Sequence, residues 1–108
     1  GIFSIAKTLD KDNFKISDVV EKPKTKDAPS NNAVIGRYIL NKDIFNFLKN
    51  QKKGKGGEIH ITDAIRKMIF EKYFFIGHKF AGKYLDCGTM NGYIKSGIEI
   101  SKLWKFAF

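Results

Sequence analysis

The chain has 108 residues, 43% of them hydrophobic with 10 Phe, enough to fill the core of one domain or part of one. Twenty Lys and Arg against 11 Asp and Glu leave a net charge of +9, which favours an anionic partner, a phosphate ester, nucleic acid or acidic lipid, without choosing among them. The lone Cys87 excludes an internal disulfide and suits a reducing, cytoplasmic setting; no apolar run could cross a bilayer and no signal peptide is visible.

Gly1-Ile2-Phe3 in place of an initiating Met gives the expectation that the sequence starts inside a longer chain. Gly1 to Leu9 is apolar and β-prone, and Asp10 to Asn13 is a polar turn. Phe14 to Val20 then reads as the hairpin partner of the first strand. Two β-branched residues, Val19 and Val20, run into Glu21, Lys22 and Pro23. Pro23 cannot donate to a ladder and biases Lys22 towards an extended backbone, so the strand should stop there. Lys24 to Asn32 is a loop. Ala33 to Leu40 reads as a third strand, with Gly36 marking a bulge or a close backbone approach. Asp43 to Asn50 is expected as a short helix capped by Asn41, with Ile44, Phe45, Phe47 and Leu48 facing inward.

Gln51 to Gly57 is a flexible basic loop. A second helix starts near Thr62, a good N-cap, with Asp63 suited to the helix dipole and Ile61, Ile65, Met68 and Ile69 at helical spacing for the core. Tyr73 to Phe80 is read as a fourth strand. A last helix follows Asp86-Cys87-Gly88-Thr89, with an apolar stripe at Met90, Tyr93, Ile94, Gly97 and Ile98, and Leu103 to Phe108 forms an apolar tail that needs covering. Strands and helices alternate without a clean parallel rhythm, which predicts a mixed α/β arrangement.

Chemistry-bearing residues are few. At the end of a strand, Glu21 and Lys22 can act as separate tools, one accepting hydrogen bonds and the other meeting an anion, or stand as an exposed charged pair. The four lysines between Lys49 and Lys55 fit a phosphate cover or a solvated loop, and the lack of interleaved aromatics argues against nucleic acid. His60 and His78 lie apart, without zinc-site spacing. Cys87 reads as a small buried residue. Asp86, read at a strand-to-helix junction, could bind Mg²⁺ through oxygen or cap the helix that follows.

Three segments in this order and spacing resemble one family: Val20-Glu-Lys-Pro-Lys24 with Ala28-Pro-Ser-Asn31 and Ala33-Val-Ile-Gly-Arg-Tyr-Ile-Leu40; Gly57-Glu-Ile-His-Ile-Thr-Asp-Ala-Ile65; and Gly82-Lys-Tyr-Leu-Asp-Cys-Gly-Thr-Met-Asn-Gly-Tyr93. Together they are similar to the C-terminal part of bacterial UTP–glucose-1-phosphate uridylyltransferases. The resemblance implies the C-terminal portion of a Rossmann-like mixed-sheet α/β fold, with residues 1–108 forming one incomplete domain. It implies transfer of UMP from UTP to glucose 1-phosphate, giving UDP-glucose. By the same resemblance, Glu21 accepts from glucose hydroxyls, Lys22 meets the sugar phosphate and acts in catalysis, the Gly1 backbone and Val34 lie against the sugar, and Asp86 is the second aspartate of a Mg²⁺ site.

Nothing in the chain matches the family's Gly-rich nucleotide loop or its first metal aspartate. The expectation is therefore no turnover by the isolated chain, and association with itself or with the missing N-terminal part. A thymidylyl-type nucleotidyltransferase and a non-catalytic basic binding module are the alternatives.

Overall fold

We describe residues 1–104 of the chain from a computed structural model. Strands β1 (Ile2–Thr8) and β2 (Asn13–Val20) pair antiparallel from Ile2↔Val20 to Thr8↔Phe14, with irregular register on both sides of Ile5. The turn between them is closed by Leu9 N–H on the Asn13 carbonyl at 2.9 Å and tightened by one side chain. Asp10 Oδ1 accepts from the backbone N–H groups of Asp12 and Asn13, each at 2.9 Å, an aspartate standing in for a backbone turn. On its other edge β2 pairs antiparallel with β3 (Ile76–His78), completing the sheet in the order β1-β2-β3.

Helix α1 (Ile44–Lys49) lies against α2 (Ile61–Phe70), and α2 lies against β2. Their contact is the core: Val19, Ile44, Ala64, Ile65, Met68 and Ile69 are buried, with Phe3, Ile16, Val34, Phe47 and Phe75 packed around them. Arg66 fastens the helix to the strand, donating from Nε to Asp18 Oδ1 at 2.7 Å and from Nη2 to Oδ2 at 2.9 Å. This paired geometry holds Arg66 charged, its pKa raised first by the bond to Asp18.

Several expected boundaries move. Ala33–Leu40 is not a strand; it meets the sheet through one bridge, Ala33 to Ile2, flanked by Phe3 N–H to Asn32 O at 3.0 Å and Val34 N–H to Gly1 O at 2.9 Å. Beyond it the chain bends at Gly36 (φ 74°), and Ile39 stands fully exposed with no strand beside it among the described residues. The strand expected over Tyr73–Phe80 shrinks to Ile76–His78 because its first residues finish α2. Lys72 adopts a left-handed conformation (φ 71°), and the N–H groups of Lys72 and Tyr73 return to the carbonyls of Ile69 and Met68, each at 3.0 Å. That is a Schellman ending, made with lysine in place of glycine.

Asp43, not Asn41, stands at the N-cap of α1 and makes no side-chain bond there; Asn41 Oδ1 accepts from Asp43 N–H at 2.9 Å just ahead of it, and Phe45 faces solvent at 65% exposure. Thr62 is not the N-cap of α2. His60 holds that place without a side-chain bond, and Thr62 is buried inside the first turn.

The last helix, α3 (Met90–Trp104), forms as the pattern required, and Thr89 closes its start by accepting from Gly92 N–H at 3.0 Å. Its stripe of Met90, Tyr93, Ile94 and Ile98 is nonetheless exposed. Helix α3 lies against no other strand or helix among the described residues; an ion pair from Lys83 to Glu99 ties it to the preceding segment. The radius of gyration is 16.6 Å, where a compact chain of this length gives about 13 Å. The tail expected over Leu103–Phe108 falls mostly outside the described residues.

Candidate functional site

Three separate stretches meet where β2 ends. Val19 is buried, and the next carboxylate along, Glu21, keeps only 13% of its side chain exposed. The α-amino nitrogen of Gly1 lies 3.6 Å from Glu21 Oε2, and the Gly1 carbonyl takes the N–H of Val34 at 2.9 Å. Gly1 is closely packed: a Cβ added there would stand 3.1 Å from Thr62 Cγ2 and 3.4 Å from Val19 Cγ2. The Thr62 hydroxyl is the largest influence on Glu21. Together with the charge of His60 it holds the Glu21 carboxyl below the usual range, although burial pushes the other way. Tyr38 is also close enough to respond; burial first, then the Glu21 charge, raise its phenol. The result is an ionised acceptor in a half-sheltered corner floored by a glycine.

Lys22 departs from the extended backbone expected before Pro23. Its φ is 41°, in the left-handed region that a lysine seldom enters. The Lys22 carbonyl accepts a hydrogen bond from the Lys55 ammonium, while the Lys22 residue itself is exposed. Lys55 belongs to the basic loop, and His60 Nε2 meets the Lys55 carbonyl at 2.7 Å. Because a carbonyl only accepts, that ring nitrogen carries the proton.

Asp86 stands elsewhere. The chain before it is not a strand, so the strand-to-helix junction is in fact a loop-to-helix one. Asp86 Oδ1 accepts from Gly88 N–H at 2.9 Å, and the helix cap is Thr89 instead. No bond among the described residues joins Asp86 to Glu21 or Lys22. Cys87, expected to be buried, is exposed, because the loop that carries it is not covered by another element. A hollow of about 440 Å³ lies along α2 between Asn50, Lys52, Asp63, Arg66 and Phe70 and includes none of the expected site residues. Among the described residues no group of three or more His, Cys, Asp or Glu could hold a metal ion. Mg²⁺ asks for less, often one or two carboxylates plus substrate phosphates, and the exposed Asp86 could offer its second oxygen to such a set.

A match to the nucleotidyl transferase family runs over residues 3–102. The chain belongs to that family. Within it, the UTP–glucose-1-phosphate uridylyltransferase of Pseudomonas aeruginosa is 49% identical over 85 residues, covering 79% of this chain and 30% of the relative. Among solved structures, a UDP-glucose pyrophosphorylase complexed with UDP-glucose superposes with a TM-score of 0.87 at 44% identity, over 94% of this chain and 38% of the other. A UTP-bound UGPase from Acinetobacter baumannii gives 0.69 at 30% identity, over all of this chain and 40% of the other. The mixed α/β architecture is thus that of nucleotidyl transferases, and the chain spans about a third of the length of the relatives it matches.

Of the expected site residues, the structure gathers Gly1, Glu21 and Val34, sets Lys22 beside them, and leaves Asp86 without a contact to the group. The sequence does not show that Thr62, Tyr38 and His60 surround Glu21, or that Lys55 reaches the Lys22 carbonyl. Thr62 lies in the second of the three segments, where its residue type suits a cap; nothing in the sequence marks Tyr38 as a neighbour of Glu21.

Proposed function

We propose that this chain supplies the sugar-phosphate side of a UTP–glucose-1-phosphate uridylyltransferase acting in the cytoplasm, with Glu21 orienting the sugar and Lys22 facing its phosphate. The observation that carries this is the Glu21 corner: a sheltered, ionised carboxylate beside the Gly1 backbone, an acceptor for the hydroxyl groups of a ligand. Sugar hydroxyls are donors of the kind such a carboxylate takes.

The chemistry asks little more of these residues. A sugar phosphate oxygen is already charged and attacks without a general base, so catalysis is in-line positioning with charge neutralisation at the α-phosphate and the departing pyrophosphate. Glu21 fixes the ring, the Gly1 and Val34 backbone limits its position, and the Lys22 ammonium offsets phosphate charge. Bound Mg²⁺ would add neutralisation of the phosphate oxygens, and Asp86 is the residue of this chain proposed to help hold it. The base of the nucleotide is read outside these residues, so uridine over thymidine follows from the relatives' names alone. The exposed apolar stripe on α3 is proposed to be covered in an assembly, with a second copy or with further chain.

Isothermal titration of the 108-residue chain tests the reading. UDP-glucose should bind, and Glu21→Gln should weaken binding about tenfold or more, the loss given by removing a charged hydrogen-bond partner. Mixing UTP, Mg²⁺ and glucose 1-phosphate with the chain alone should yield no UDP-glucose. Salt-steep binding to DNA without UDP-glucose binding would overturn the proposal in favour of a basic binding module.

A further inference from the structure

The basic, glycine-rich loop before α2 has no part in the function so far, yet it is joined to the site at a revealing place. Lys22 is a lysine in the left-handed region, directly before a proline. Such a conformation is costly for a residue with a Cβ and persists only where surrounding contacts enforce it. The structure provides one enforcing contact on the Lys22 peptide itself, the Lys55 ammonium on the Lys22 carbonyl.

Lys55 is in turn held from behind. Its carbonyl takes the His60 Nε2–H at 2.7 Å, and its loop is pinned by Gly54 N–H to Glu58 O at 2.8 Å and Gly57 N–H to Gly54 O at 3.0 Å. Gly56 and Gly57 sit at φ 76° and 77°, turns that glycine makes freely and that let the loop fold back on itself. Two residues after His60 comes Thr62, which lies against Gly1 and beside Glu21. A closed circuit results: Glu21, Lys22, Lys55, His60, Thr62 and back to Glu21.

We infer that Lys55 is a positioning residue, whose ammonium holds the Lys22 peptide in its left-handed turn and so sets the direction in which Lys22 presents its own ammonium to a phosphate. This rests on the sugar-phosphate reading above. The φ of Lys22 decides where its side chain leaves the backbone, so a relaxed peptide would redirect that charge. Lys55 itself need not touch the ligand.

The test compares the parent chain with Lys55→Met, Lys55→Arg and, as a charge-matched control from the same loop, Lys53→Met. The intraresidue HN–Hα NOE of Lys22 reads the sign of φ, and titration with UDP-glucose reads affinity. Lys55→Met should convert the strong Lys22 NOE of positive φ to the weak one of negative φ and lower UDP-glucose affinity about fivefold to tenfold, the range of one ordinary hydrogen bond. Lys55→Arg should restore both, and Lys53→Met should change neither. A Lys22 NOE that stays strong in Lys55→Met overturns the inference, even if affinity falls, because Lys55 would then be contacting the ligand directly. Failure of the parent chain to bind UDP-glucose would instead defeat the sugar-phosphate reading, and the NOE would still decide whether Lys55 governs Lys22.

Discussion

Replacing Thr62 by Val removes one hydroxyl and keeps the shape of a buried side chain, so it isolates what that hydroxyl does for Glu21. In the native chain Thr62 is 6% exposed and Glu21 13%, leaving little water to take the place of the lost donor. A net hydrogen bond of this kind contributes about 1 kcal/mol, somewhat more to a charged group. Thr62→Val should therefore cost about 1 kcal/mol at neutral pH by urea denaturation.

The pH dependence separates this cause from packing. The folded Glu21 carboxyl lies below its ordinary value of 4.5, so its contribution is fully present above that value and is lost as pH falls through the lower, folded value. The gap between parent and Thr62→Val should accordingly narrow in acid. A carboxyl-detected NMR titration should also show the Glu21 midpoint moving up in the variant. An equal stability gap at neutral and acid pH, with an unmoved Glu21 midpoint, would refute the reasoning and reduce Thr62 to a space-filler.

Other expectations are simpler to check. Met68 is fully buried at the centre of the core, and Met68→Ala should cost about 2–5 kcal/mol in chemical denaturation, enough to unfold a marginal domain. Glycine to alanine inside a helix ordinarily stabilises, but at Gly92 a Cβ would collide with the Asp86 carbonyl and stand 3.0 Å from Thr89 Oγ1; Gly92→Ala should lower the helical circular dichroism of the folded chain instead of raising it. The exposed Cys87 should react with a thiol reagent under native conditions as fast as after unfolding in urea; strong native protection would contradict its placement.

Where structure was legible in the sequence, a local cause was enough. The Asp10–Asn13 turn is tightened by its own aspartate, and the stripe of Ile65, Met68 and Ile69 buries as helical spacing requires. Errors arose where a distant partner decides. Ala33–Leu40 has the composition of a strand, yet composition does not supply a neighbouring backbone, and among the described residues only its first two, Ala33 and Val34, meet one. Tyr73 has strand propensity but is used to end α2, a role set by the backbone of Lys72. At the site, the sequence places Glu21 and Lys22 just past the end of a strand, and the structure keeps them there. The left-handed turn at Lys22 went unforeseen because the local rule for a residue before proline points the other way, and the contact that overrides it comes from a loop far along the chain.

The corner that shelters Glu21 is shared among Gly1 just ahead of β1, the loop around Val34 and the first turn of α2, with none of these complete by itself. Its acceptor geometry therefore exists only once the hairpin has docked on the helix. A molecule gripping it would favour the fully assembled chain over any partly opened one, so recognition and the last stage of folding become one equilibrium. Tightening of amide exchange across all three stretches at once, upon sugar-nucleotide addition, is the signature this shared ownership leaves.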